Sequence, residues 1–320
     1  MVRLSQPQTD VEPTPEFNEK CLTLLKNWEA GELPYNDVIQ HIKALQQESR
    51  DSGHITNEAR IEHLAGLIQH YHGSLNTSIR HYEQARKLYA KVGNRSRVAN
   101  IDLNQGENYR FKGDFNHARM LYHNAYEAAA ELGELSLQTI AVVNEGLTYL
   151  ALNQLEDAER AFHDGYYLSE QWSNNFQKRA EILCELHYGM TVIHLKHEDY
   201  SAAWVDALAT LKNAKQVNQP RQLGFAYRVL GEVVTHLDTI PDERFSDDPD
   251  KHFRASMNCF QEIDAQAELA RSMFEQAKSL SYRGRKTSAA RKLQQVMIIF
   301  TKLGMIDDAA RTAEAQLSFL

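Results

Sequence analysis

Gly66, Gly106 and Gly146 stand 40 residues apart, and Gly93, Gly133 and Ser173 repeat that interval further on. A fixed period of this length is the mark of a solenoid, in which each unit buries its apolar face against its neighbours and the stack shares one continuous core. Later units are stretched, since Asn218, Asp264 and Gly304 occupy the corresponding ends at steps of 45, 46 and 40. Seven prolines and 15 glycines in 320 residues leave little material for β-turns. With Ala, Leu, Glu, Gln, Lys and Arg abundant, the expectation is an all-α chain.

Within each unit, small and aromatic residues recur at fixed offsets. Gly106, Tyr109, Gly113, Ala118, Tyr122 and Ala125 are followed in register by Gly146, Tyr149, Asn153, Ala158, Phe162 and Gly165, and preceded by Gly66, Gly73, Ser78, Tyr82 and Ala85. On these residues the chain resembles the tetratricopeptide repeat superfamily, most closely over residues 56–172 and more loosely to 319. The motif's early Trp is absent, with Asp102 and Val142 in its place, and Gln105 and Glu145 replace its Leu. A 40-residue period adds about one helical turn to the usual unit, which looks like the extended-helix branch found in kinesin light chains and bacterial peptide-responsive regulators. The segments 248–253, 267–271 and 302–305 are similar to the C-terminal repeat regions of bacterial signalling ATPases, yet the chain has no phosphate-binding Gly-x-x-x-x-Gly-Lys-Ser/Thr loop.

The resemblance implies a right-handed α-solenoid of about six helix pairs over residues 54–319. Residues 1–15, with Pro13 and Pro15 among scattered polar residues, read as a disordered tail. Residues 16–53 carry Phe17, Cys21, Leu24, Leu25 and Trp28, then Val38, Ile39, Ile42 and Leu45, at helical spacing and read as an N-terminal capping pair. Ile306, Ala309, Ala310, Ala313 and Leu317 give a C-terminal capping helix its buried stripe. Between them, residues 238–250 form an acidic loop with Pro241 and Pro249, read as a solvated insertion at a repeat junction.

In such a stack the first helix of each pair lines an inner groove. The motif's register places Asn104 and Asn144 at the position where relatives that bind extended peptides bond the ligand's main chain, and an amide suits that task because it both donates and accepts. His63, His70, Tyr71, Glu107, Arg110, Phe111 and Leu147 share the face and complete the candidate binding surface. The carboxylate clamp of chaperone-binding relatives needs basic residues where His63 and Ile140 stand, so a chaperone tail is not the expected ligand.

Signals for catalysis are lacking. No His-Glu-x-x-His, Gly-x-Ser-x-Gly or dinucleotide glycine pattern occurs. Cys184, His187, His194 and His197 lie on one helix, whereas a zinc site needs ligands converging from several directions, so no metal or other cofactor is expected. Cys21, Cys184 and Cys259 are too few and too scattered for a disulfide framework. A net charge of −8 disfavours nucleic acid, and no apolar run is long enough for a membrane span. The basic residues Arg283, Arg285, Lys286, Arg291 and Lys292 read as a solvated helix surface. The expectation is a cytoplasmic, non-catalytic scaffold or adaptor for a protein or extended peptide in bacterial signalling. The alternative is a sensor whose superhelix changes curvature when a peptide binds.

Overall fold

The computed structural model describes residues 11–172 and 176–318, which form fifteen α-helices and no strand. Ser173, residues 1–10 of the expected tail and residue 319 lie outside the described residues. Two entry helices, α1 (Pro15–Glu29) and α2 (Tyr35–Ser52), precede six antiparallel pairs. The pairs are α3 (Ile55–His72) with α4 (Leu75–Lys91), α5 (Arg95–Phe111) with α6 (Phe115–Leu132), and α7 (Leu135–Ala151) with α8 (Leu155–Glu170). They continue as α9 (Phe176–Lys196) with α10 (Tyr200–Val217), α11 (Pro220–His236) with α12 (Pro249–Glu262), and α13 (Gln266–Tyr282) with α14 (Lys286–Leu303). The last helix is α15 (Ile306–Ser318). This is an all-α solenoid.

The repeated small and aromatic residues meet where the sequence places them. Tyr82, Tyr122 and Phe162, on the second helices, lie against Gly66, Gly106 and Gly146 on the first. A methyl group at Gly106 would stand 2.4 Å from the Tyr122 ring, and both residues are buried. Overpacking of this kind costs ~1–3 kcal/mol. Gly106→Ala is therefore expected to lower the urea midpoint by a corresponding amount, and an unchanged midpoint would show that the helix pair has room the structure does not display.

The array does not remain an open arc. Its last helices return to its first, and α3 touches α13. One apolar cluster joins Phe17, Cys21, Leu24 and Trp28 of α1 to Phe260 of α12, with Ile263 and Leu269 beyond it. Another joins Leu75 and Phe111 to Ala267, Ala270, Val296, Phe300 and Met305. The entry helices thus do more than cover one end of the stack. They give the other end an apolar surface to close upon, and the hydrophobic term favours closure because both surfaces leave water.

Along this seam three turn glycines take the C-terminal helices at unusually short range. A side-chain carbon at Gly31 would meet Glu262 Cγ at 2.6 Å, one at Gly73 would meet Leu303 Cδ2 at 2.8 Å, and one at Gly113 would meet Asp307 Cβ at 2.8 Å. His72 Nδ1 lies 3.1 Å from Asp264 Oδ2, and Gln219 Nε2 donates to Glu29 Oε2 at 3.2 Å, adding polar ties across the same junction.

Two segments are more ordered than their composition implies. Asn57 Oδ1 accepts from the Thr14 N–H at 2.8 Å, Asn94 Nδ2 donates to the Val11 carbonyl at 2.6 Å, and Glu12 pairs with Arg97 at 2.9 Å. Residues 11–14 of the expected tail are thereby held on α3 and α5. In the acidic loop, Phe245 stands edge-on to Trp204 at 5.6 Å, and Asp248 caps α12 by accepting from the Asp250 N–H. Asp250 receives Arg283 at 3.1 Å and Arg285 at 3.0 Å. The acidic loop and part of the basic patch, read separately in the sequence, neutralise each other in the fold.

Candidate functional site

Closure of the solenoid shapes a partly open cavity of about 760 Å³, within the range suited to a small ligand or a short peptide. Its wall comes from the inner helices, chiefly α9, α11 and α13, with the C-terminal ends of α3, α5 and α7 and one side of α15. Of the residues proposed from the repeat register, His70, Tyr71, Glu107, Arg110, Phe111 and Leu147 line it. His63, Asn104 and Asn144 do not; they sit nearer the N-termini of α3, α5 and α7.

Those three residues make a different local arrangement. Asn104 Nδ2 lies 2.8 Å from His63 Nε2, so an amide donor there makes Nε2 the acceptor and leaves the ring proton on Nδ1. Burial, with Arg60 and Arg97 nearby, pushes the His63 imidazole down to about 3 and keeps it neutral. Nδ1 is buried without a hydrogen-bond partner. Asn144 is almost buried, at 4% exposure, and its side chain makes no hydrogen bond among the described residues.

His70 is fixed more firmly. Ser78 Oγ donates to the Gly66 carbonyl at 2.6 Å, Asn108 Nδ2 donates to Ser78 Oγ at 2.8 Å, and Asn108 Oδ1 is left to accept from His70 Nδ1 at 2.8 Å. Burial pushes the imidazole below its usual range. Its Nε2 faces Glu107 at 3.9 Å. Burial alone raises the Glu107 carboxyl, but His70, Arg110 and Arg221 together hold it below the usual carboxylate range.

The most ordered part of the wall is a belt of guanidinium groups packed on aromatic rings. Arg221 lies 5.1 Å from the Tyr71 ring and 5.5 Å from Phe225, Arg228 lies 5.1 Å from Phe225, and Arg271 lies 3.9 Å from Phe111. Glu268 joins two of these arginines, accepting from Arg228 Nη1 at 2.6 Å and Arg271 Nη1 at 2.9 Å. Arg271 also donates to Asp308 at 2.9 Å, which ties α15 to the belt. Each guanidinium thus has its face on an aromatic ring and its edge on a carboxylate, so the belt is a fixed, charge-compensated part of the wall.

The motif's numbering finds the cavity residues of α3, α5 and α7 because those units keep the repeat. It misses Arg221, Phe225, Arg228, Glu268 and Arg271, which lie on α11 and α13, where the stretched period loses register. The available signal was helical spacing: Arg221, Phe225, Arg228 and Glu232 recur at steps of four, three and four, placing them on one face.

Three of the four residues considered as metal ligands are otherwise engaged, and the fourth, His197, is exposed. Cys184 is buried with its thiol 4.0 Å from the Gln222 carbonyl, while His187 and His194 flank Asp206 at 2.7 and 3.2 Å. Among the described residues no group of three or more His, Cys, Asp or Glu could hold a metal ion. No helix among them is long and apolar enough to cross a membrane.

No protein-family model matches the sequence, and no curated protein matches it. Solved structures do. A Rap protein complexed with competence and sporulation factor is 12% identical, with 96% of this chain and 98% of that one covered at a TM-score of 0.57. The Rap conjugation gene regulator of the plasmid pLS20, in complex with the Phr* peptide, is 11% identical, with coverages of 96% and 97% and a TM-score of 0.60. Aspartyl phosphate phosphatase F from Bacillus subtilis is 12% identical, with coverages of 100% and 96% and a TM-score of 0.54. At such identities the likeness establishes the fold alone, an all-α helical repeat.

Proposed function

We propose that this chain is a non-catalytic regulatory sensor that binds a short peptide in the cavity formed by its closed solenoid. The observation that carries the reading is the cavity itself, which is too small for a folded domain and lined by stacked aromatics, arginines and acids on the inner helices. Two structurally similar proteins are described as complexes with a sporulation factor and with a peptide, which supports the choice of ligand class. One similar protein is named a phosphatase. Against catalysis here, the Cys184 thiol is raised far above its usual range by burial, and the cavity's arginines are engaged by acids of the same wall.

Arg110, Phe111, Tyr71 and Leu147 contact the ligand in this reading, whereas Asn104, bonded to His63, and the buried Asn144 lie outside the cavity and support its wall. In this reading the chain serves as the sensing part of a larger regulatory system. A scaffold or adaptor role would use exposed surface outside the cavity instead, such as Tyr167 and Phe176, which are 67% and 76% exposed.

A pool of short synthetic peptides tests the reading by thermal shift and small-angle scattering. A ligand at a hundred times its Kd stabilises the folded state by about 2.7 kcal/mol. The expected result is a melting temperature higher by several degrees with some pool members, lost in Leu147→Arg, which fills the cavity. No shift with any peptide, together with a folded partner retained equally by wild type and Leu147→Arg, would replace the sensor with an adaptor.

A further inference from the structure

Among the described residues the acids on the cavity wall are paired with one exception. Arg221, Arg228 and Arg271 hold Glu185, Glu268 and Asp308. Glu232, on α11, lines the cavity with no hydrogen bond or ion pair among the described residues. The cations around it are committed elsewhere. Lys278 Nζ on α13 is 2.6 Å from Glu275 Oε2, while Arg228 on α11 is bound to Glu268 and to the Tyr188 hydroxyl of α9. Glu232 therefore lies within electrostatic reach of a second carboxylate, Glu275, and receives a hydrogen bond from neither Lys278 nor Arg228.

Glu232 is half-buried, and a carboxylate partly withdrawn from water without a partner carries a cost that disappears when a cation arrives or a proton is taken up. The other acids of the wall need neither, because each is already paired with a cation. Position adds to the case. Glu232 follows Arg221, Phe225 and Arg228 on one face of α11, so the helix that carries the stacked arginines also presents this carboxylate.

We propose that Glu232 anchors a positively charged N–H group of the ligand, an ammonium or guanidinium supplied by the peptide's free amino terminus or by a lysine or arginine side chain. The proposal rests on the cavity being the peptide site and goes further by naming what the peptide must carry. An incoming cation lies between Glu232 and the Glu275–Lys278 pair, and the aromatic faces of the arginine belt take the adjoining apolar residues. Burial and Glu275 push the Glu232 carboxyl up to about 8 in the empty cavity. Cation binding at neutral pH accordingly releases a proton, since the ionised form is the one the ligand pairs with.

Two kinds of probe test the anchor on the full chain and on Glu232→Gln. The first is agmatine, a small molecule carrying both an ammonium and a guanidinium. The second is three matched pools of short peptides: free amino termini without Lys or Arg, acetylated without Lys or Arg, and acetylated with one Lys or Arg. Agmatine and at least one cationic pool are expected to raise the melting temperature of the wild type. The cationic pools bind Glu232→Gln at least tenfold more weakly, and the neutral pool does not distinguish the two proteins.

Calorimetry of the cationic ligands at neutral pH in two buffers of different ionisation enthalpy should show proton release in wild type alone. The variant itself should melt no lower than wild type, because an amide removes the buried carboxyl. The free-terminus and side-chain pools separate the two sources of the cation. Equal binding of neutral and cationic pools by wild type, or an undiminished cation preference in Glu232→Gln, overturns the anchor and leaves the peptide site standing. If no pool binds but agmatine stabilises wild type and not the variant, the peptide reading falls and the cation site stands. Silence from every probe ends both.

Discussion

Gly113→Leu should open the ring and cost more stability than Gly133→Leu, although both glycines terminate helices in the same left-handed conformation. Their φ values are +80° and +69°, so a side chain at either pays about 1–3 kcal/mol for the backbone alone. The surroundings differ. A side chain at Gly133 enters open space, whereas one at Gly113 stands 2.8 Å from Asp307 Cβ, on the helix that closes the ring. Because a Cβ is fixed to the backbone, Asp307 cannot swing aside and α15 itself must move. Overpacking adds ~1–3 kcal/mol, and part of it is relieved if the seam parts. Small-angle scattering should report a larger radius for Gly113→Leu only, with a lower melting temperature than its control. Indistinguishable scattering and melting would mean that the glycine seam does not hold the two ends together.

The second large effect is expected at Glu268. Its two oxygens each receive one guanidinium, from Arg228 and Arg271, and the carboxyl is buried. Removing one member of a buried ionic group costs about 3–5 kcal/mol, because the remaining charges stay desolvated. Glu268→Ala leaves Arg228 nearly encased, with 3% of its side chain exposed, and bonded only to the Tyr188 hydroxyl. The measured loss should fall near that range, and Glu268→Ala with Arg228→Leu should recover a substantial part by removing the stranded charge. An equal loss in single and double variants would locate the cost in packing.

The same carboxyl sets an acid limit. Burial raises it, but the two arginines outweigh burial and hold it at about 2. An ordinary glutamate in the unfolded chain titrates near ~4.3. A depressed folded value means that the contribution is complete above the unfolded value and is lost as pH falls towards 2. Wild type should therefore lose stability through that window faster than Glu268→Gln, whose amide does not titrate. Parallel curves would show that the pair contributes nothing specific to acid stability.

Much of the architecture follows from spacing. The 40-residue interval of small residues, with Tyr82, Tyr122 and Phe162 after them, determines that two helices touch closely and that the contact recurs. Each contact is made within one unit, between residues less than a period apart, and so it is written locally. The inner-face positions on α3, α5 and α7 follow from the same count, which is why Arg110, Phe111 and Leu147 are legible beforehand as members of one surface.

Only the tertiary structure decided that this surface lines a cavity. Closure depends on rotation accumulated over six pairs and on whether the apolar ends of α1 and α3 match α12–α15, a relation between residues about 200 apart. Nothing in the local pattern distinguishes Gly113, which takes Asp307, from Gly133, which takes nothing. Charge followed the same rule. Separate acidic and basic segments met at Asp250 and Arg283, arginines from stretched repeats formed a belt, and Glu232 was the one acid of the cavity left without a partner among the described residues, because ion pairing is settled by distance in space and not by order along the chain.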